Sequence, residues 1–420
     1  MEVRVKKNHS VPPVWLMGLS NLTLGVVTGI VAFALPQLMA AERVPEWKIA
    51  AITAVAVSPS FWCVLFGPML DVRFSRRWYA TVLAGCAAVF TAIAFLSLHR
   101  LLLLELALTL ANVSANLFGA ALGGWLSTVI EEKDRNILSK WMNVALIGGM
   151  GIASTLGGEL TRRLPISLAA GLMGLIVFLP TLTFLLIPAP GPDRRLAAES
   201  FGQFNREVLS LLRRRENVVV LLLFLSPCSS FALTNLLGGL GADFHASARE
   251  ISLAGGVGEF VPAILGCFLF PIIARRLPLR FFYLANGVAG SLFTLGLIVL
   301  PHLTWTFALA VFGEFLFQAV AFSIQIGIVF DAIGSNNPLA ATTFAFLTAA
   351  TNVPLTYMMV ADGRAYSAAG VAGAFSADAS ISIVACLAMG VLLAKFSSEA
   401  SSGAVQPQEP APTAQPSEGE

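Results

Sequence analysis

Twelve separate runs of about twenty apolar residues fill the chain between Val14 and Lys395, and each is long enough to cross the hydrocarbon core of a bilayer as a helix. Hydrophobic residues make up 56% of the sequence and charged residues 12%, a balance that no water-soluble core could hide. The hydrocarbon region holds no water to pair backbone N–H and C=O groups, so runs of this length must be helices. The expectation is an all-α membrane protein with twelve transmembrane helices in two six-helix bundles.

The runs fall at 14 to 40, 47 to 71, 78 to 98, 101 to 130, 139 to 161, 166 to 188, 217 to 242, 251 to 274, 281 to 300, 303 to 331, 339 to 361 and 373 to 395. The loops on one side collect 19 of the 26 lysines and arginines, which assigns that side to the cytoplasm of a bacterial inner membrane, with both termini on it. The first run is too long for a signal peptide and lacks a small-residue cleavage site, so it reads as a retained helix. The longest polar interruption divides residues 1–188 from 217–396. Between them, 189–216 reads as a cytoplasmic connector with an interfacial helix on the lipid headgroups, carrying Phe201, Phe204, Val208 and Leu211 at helical spacing before Arg213 to Arg215. Residues 397–420 are rich in Pro, Ser, Glu and Ala and read as a disordered cytoplasmic tail.

Several chemistries are excluded. The five cysteines stand singly in the runs, and the four histidines fall in the N-terminal segment or the outer loops, so no metal site is expected. No phosphate-binding loop is present, and no cofactor or nucleic-acid partner is expected. An enzyme would need a nucleophile or an acid–base pair near one interface, and the intramembrane groups at usable spacing are amides and lone carboxyls.

Ionisable groups deep in a bilayer face a cavity or a partner. Glu314 and Glu259 lie roughly 16 and 12 Å inside the outer ends of their runs at about 1.5 Å per residue. The fourth run carries Glu105, Thr109, Asn112 and Asn116 on one helical face, and the tenth repeats the offsets with Glu314, Gln318, Ala321 and Gln325. The first run adds Asn21, Gly25, Thr28 and Ala32, and the seventh adds Ser226, Ser230 and Thr234. The first, fourth, seventh and tenth helices are therefore expected to line a central cavity, through Asn21, Thr28, Glu105, Asn112, Asn116, Gln318 and Gln325. No lysine or arginine lies at the depth of the glutamates. A carboxyl in low dielectric without a cation favours its protonated form, which makes Glu314, and then Glu259, the expected proton carriers.

The halves also echo one another. The second run ends in Gly67-Pro-Met-Leu-Asp71 followed by Arg73, Arg76 and Arg77, and the eighth ends in Gly266 to Pro271 followed by Arg275, Arg276 and Arg280. The turn from Gly67 to Arg77 resembles that of the major facilitator superfamily, whose loop after the second helix has a Gly, an Asp and closing basic residues. Ser58-Pro59 through Asp71, Arg76-Arg77-Trp78 and the segment Ala341 to Ala349 resemble the branch of AmpG-type muropeptide permeases and acetyl-CoA transporters. Val72 stands where that loop usually has a basic residue, Ser75 where it has a glycine, and Thr343 where the branch has a glutamine. The resemblance implies a cytoplasmic gate formed by Gly67, Asp71, Arg76 and Arg77. The whole implies a secondary transporter for a small-molecule solute, coupled to protons, with a muropeptide-like solute first and a siderophore or acyl-CoA-type solute next. A non-transporting membrane receptor is the alternative from another class.

Overall fold

A computed structural model of the chain describes residues 12–189, 206, 210, 214–254, 256–334 and 337–403. Apart from residues 206, 210 and 214–216, the expected connector beyond 189 lies outside them, as do residues 404–420 of the expected tail. The helices in chain order are α1 (Val14–Ala41), α2 (Glu46–Asp71), α3 (Arg76–Leu96), α4 (Leu101–Val129), α5 (Glu132–Arg163) and α6 (Ile166–Leu185). The seventh, α7, consists of Arg215–Leu225 and Thr234–Leu240. Then follow α8 (Val257–Ala274), α9 (Leu279–Ile298) and α10 (Thr304–Ile333). The last stretch, Ala340–Gly403, is two helices, α11 and α12, divided at Ala369 and at Gly370, whose φ of +61° suits glycine.

Ten elements are long and apolar enough to cross a membrane, the last being this double one, and α7 completes the twelve passes. A proline in extended conformation stands directly before each of α1, α2, α6 and α9 (Pro13, Pro45, Pro165, Pro278). The first N–H groups of a helix have no intrahelical partner, so the N–H a proline lacks is not missed there. Leu65, Leu102, Leu185 and Val299 point outward, which in water would be a liability and in lipid is neutral. Small residues let helices meet inside each half: a Cβ on Gly25 of α1 would lie 2.3 Å from the Leu146 carbonyl of α5.

Four expected spans differ from the observed helices. The seventh run breaks between Ser226 and Leu233 because Pro227 removes a backbone donor, and Ser229 and Phe231 there take positive φ. Neighbours satisfy freed groups: Ser382 Oγ donates to the Pro227 carbonyl (3.1 Å) and Tyr357 OH to that of Leu225 (2.9 Å), while Ser229 Oγ, within the break, donates out to the Tyr283 carbonyl of α9 (2.7 Å). The eighth run begins as a separate helix, Ala248–Ala254, and α8 starts only after Gly256. Ser247 and Glu250 form a reciprocal capping box on that short helix, and the Ser247 hydrogen bonds hold the Glu250 carboxyl below the usual range. The eleventh run extends past 361 to residue 368, which carries Asp362 and Arg364 into the helix. The C-terminal helix likewise runs to Gly403, into the expected tail.

Candidate functional site

A cavity of about 260 Å³ opens between the halves, walled by α1, α2, α4 and α5 on one side and α10 and α11 on the other. Its polar wall is made of Asn21, Thr28, Ser60, Asn116, Asn143, Gln325, Thr348, Thr351 and Asn352, and no charged side chain lines it. The amides share one habit. Asn21 Nδ2 donates to the Met142 carbonyl (3.0 Å), Asn116 Nδ2 to that of Asn112 (2.8 Å) and Asn143 Nδ2 to that of Ser139 (3.2 Å). Asn352 Nδ2 donates across the halves to the Ser60 carbonyl (3.4 Å), and Gln325 Nε2 to the Tyr283 hydroxyl (3.0 Å). Asn21, Asn143, Asn352 and Gln325 each spend one N–H of the amide in this way, which leaves a second N–H and the oxygen, and the Asn21 oxygen is buried without a partner among the described residues. The wall therefore offers both acceptors and donors to whatever enters, and leaving them unmet is unfavourable.

At the end bearing the basic loops the halves are joined by hydrogen bonds. Asp71, buried at the end of α2, accepts from Arg76 Nε (2.6 Å), from Thr342 N and Oγ1 (both 2.7 Å) and from Ala341 N (3.2 Å). It thus caps α11 from the opposite half, meeting N–H groups that no residue of α11 itself can meet. Arg76 Nη2 reaches on to the Pro338 carbonyl (2.6 Å). The seat is tight. A Cβ on Gly67 would lie 3.0 Å from that of Ala345, and one on Gly124 of α4 would lie 2.4 Å from Ala341 N. Beside it Arg135 pairs with Asp331 (3.3 Å), and the Ser139 hydroxyl donates to the Ser323 carbonyl. Lys140 of α5 stands over the rings of its neighbour Trp141 and of Phe268 from α8.

Away from the cavity, toward the opposite end, Glu314 of α10 is fully buried and accepts from Thr294 Oγ1 of α9. Two further buried carboxyls, Asp362 of α11 and Asp378 of α12, face each other within hydrogen-bond reach and lie close enough to Glu314 for their charges to act on it. None of the ion pairs among the described residues includes any of the three.

Of the expected cavity residues, Asn21, Thr28, Asn116 and Gln325 reach the wall and three do not. Asn112 is buried and donates to the Ala56 carbonyl of α2 (2.8 Å). Gln318 donates to Thr234 Oγ1 (2.8 Å) at the break in α7. Glu105 is half-buried one turn from the start of α4. A stripe of eleven residues spans roughly 16 Å along a helix, more than one cavity wall, so its ends serve other contacts. The α7 serines and threonine, read chiefly as helix-packing groups, supply no wall residue: Ser226 bonds back to Leu222, Ser230 lies in the break and Thr234 bonds to Phe231. Glu259 stands in the first turn of α8, not deep in a continuous helix. Arg77 leaves the other gate residues and stands over the Trp125 ring at 6.0 Å. Asn143 and Asn352 lay on no face that the sequence singled out, and Asp362 falls one residue past the expected end of the eleventh run.

A sequence profile described as Major Facilitator Superfamily matches residues 17–349. No curated protein matches the chain by sequence. Three solved structures share the arrangement. The human organic anion transporter MFSD10 (TETRAN) is 16% identical, with a TM-score of 0.68 over 90% of this chain and 98% of that one. The E. coli fucose:proton symporter FucP is 16% identical, with a TM-score of 0.65 over 90% and 98%. A bacterial homologue of the iron transporter ferroportin, in an outward-facing state, is 18% identical, with a TM-score of 0.63 over 92% and 100%. At such identities the likeness speaks for the fold alone. With twelve passes, a cavity between halves and a profile match over most of its length, the chain belongs to the Major Facilitator Superfamily.

Proposed function

We propose that this protein is a proton-coupled secondary transporter that moves a bulky polar solute across the bacterial inner membrane by rocking its two halves around the central cavity. The observation that carries the reading is the wall itself, polar from both halves, rich in amides, and without a charged side chain among the described residues. Such a wall suits a solute with many hydroxyl and amide groups, a sugar or a peptide, and gives a multiply charged phosphate no cation to meet. A muropeptide, which is both, is the first substrate to test. The local resemblance to AmpG-type permeases points the same way, and siderophores and acyl-CoA-type solutes come next.

In this reading the basic end faces the cytoplasm, and the Asp71, Arg76 and Gly67 seat on α11 is the cytoplasmic gate in its closed state. Opening it exchanges those contacts for water and lets the cavity face inward. Glu314 carries the coupling proton, and Glu259 is the second candidate.

The test uses purified protein in proteoliposomes with labelled muropeptide. Counterflow shows transport, and a protein that binds without exchanging is a receptor. With a pH gradient imposed, wild type should accumulate label. Glu314→Gln, which keeps shape but cannot titrate, should exchange label without accumulating it. Accumulation equal to wild type in this variant would move the carrier to Glu259.

A further inference from the structure

The carboxyl groups beyond Glu314 have no part in the cavity or the gate. Asp362 is fully buried, neither of its oxygens meets a donor among the described residues, and it is turned toward Asp378. Asp378 Oδ1 and Glu314 Oε2 are also buried without a partner. Two ionised carboxylates within hydrogen-bond reach repel, and a proton between them turns the repulsion into a hydrogen bond. Among the described residues no three His, Cys, Asp or Glu side chains converge as a metal ion requires. The arrangement is pairwise, which suits protons.

Less buried polar groups continue the same face of α11. One helical turn from Asp362 toward the end opposite the basic loops, Tyr366 donates to Asp243 Oδ2 (2.8 Å), and both are only half-buried. The other charged groups stand aside. Arg364, two positions along α11 and so on another face, makes no ion pair with the cluster. His302 lies against the Phe244 ring. On α9 the neighbour of Glu314 is the uncharged Thr294.

We infer that Asp362, Asp378 and Glu314 form a proton-binding relay, entered past Asp243 and Tyr366 and separate from the solute cavity. Between Asp362 and Asp378 one proton moves from a carboxylic acid oxygen to the facing carboxylate oxygen, leaving the first group ionised, and nothing else is consumed; Glu314 binds a proton of its own and feels their charge. The inference rests on the proposed proton coupling and adds its route. It also makes coupling indirect. Helix α11 carries Thr342 at the gate, Asn352 at the cavity and Asp362 in the relay, spaced ten residues or about 15 Å apart, so a change of charge at one end can bias the other along one continuous helix, with Pro354 between the cavity and the relay.

The test needs no solute. Infrared spectra of the purified full-length protein are recorded during alkaline titration, following the carbonyl stretch of protonated carboxyl groups. Wild type should show a buried carboxylic acid band that is lost on titration. Asp362→Asn, Asp378→Asn and Glu314→Gln should each remove part of it. Thr294→Val, a milder change that keeps the fold within reach, should shift the Glu314 component without loss, and Asp243→Asn should keep the amplitude but slow its shift in deuterated water. Bands unchanged in Asp362→Asn and Asp378→Asn would overturn the relay, as would loss of the band when sodium chloride replaces choline chloride at fixed pH. The two proposals fail separately. Gradient-driven accumulation with unchanged bands in the aspartate variants refutes the relay alone, whereas a titrating relay in a protein that accumulates nothing refutes the coupling and leaves the proton site standing.

Discussion

Asp71 and Asp362 are both buried aspartates bound up with α11, and their surroundings are opposite. Asp71 receives four donors, two of them backbone N–H groups, and its charge is matched by Arg76. Asp362 receives none from the described residues and faces another carboxyl. A buried carboxyl needs a partner, and the chain supplies it in one place and leaves it to the solution in the other. The first arrangement suits a joint that makes and breaks as a unit. The second suits a group whose occupancy changes while the fold stays.

The sharpest way to break this contrast is Asp71→Ala. Removing one member of a buried ion pair costs about 3–5 kcal/mol, here borne by the closed gate. Spin labels across the basic end should report a shift from short to long distances, while solute binding persists. An unchanged distance distribution would show that Asp71 is not what holds the gate. Gly124→Val approaches the same joint sterically: with a Cβ placed 2.4 Å from Ala341 N, α4 and α11 must separate, at about 1–3 kcal/mol for overpacking. It should open the same end by a smaller amount. A gate as closed as wild type would mean that the seat on α11 is loose.

The cavity offers a milder comparison. Asn143→Ala removes a wall amide, and loss of one hydrogen bond to the solute should weaken binding by about 0.5–1.5 kcal/mol, roughly 2- to 13-fold in Kd by isothermal titration. The smallest effect is expected at Glu105→Gln, which should leave binding and uptake at wild-type values because Glu105 lies off the wall. A large loss there would return the whole α4 stripe to the solute path.

Length and apolarity made the twelve passes readable, and the fold followed, because a bilayer leaves the backbone one solution. Helix breaks were less readable. Pro227 was present in the seventh run, but the count of apolar residues around it concealed the interruption it causes. Among site residues, Asn21, Thr28, Asn116 and Gln325 could be read because they sit on faces marked by other polar groups. Asn143 and Asn352 could not, since Trp141, Met142, Val144 and Leu146 flank the first, and the second follows Thr348 and Thr351, hydroxyls that bond back to their own helix. Asp362 falls one residue past the expected end of the eleventh run, with Arg364 two positions further on, and only the length of α11 places it inside. A helical face is defined by tertiary contacts as much as by its own period, which explains why Gln318 and Asn112 share a face with wall residues and serve other helices.

The interruption in α7 has a mechanical consequence. Between Ser226 and Leu233 the chain is held by side chains from α11 and α12, not by a ladder of its own backbone. The segment on either side can then tilt without tearing a run of helical hydrogen bonds, against burial and against three hydroxyl bonds, those of Tyr357 and Ser382 to the break and of Ser229 out to α9. Deuterium uptake at 226–233 should accordingly outpace that of the uninterrupted α9 beside it, and hydroxyl-removing changes at those three positions should speed it further. A pivot of this kind would let the outer part of α7, tied through Asp243 to Tyr366, follow α11 while the inner part stays with the closed end.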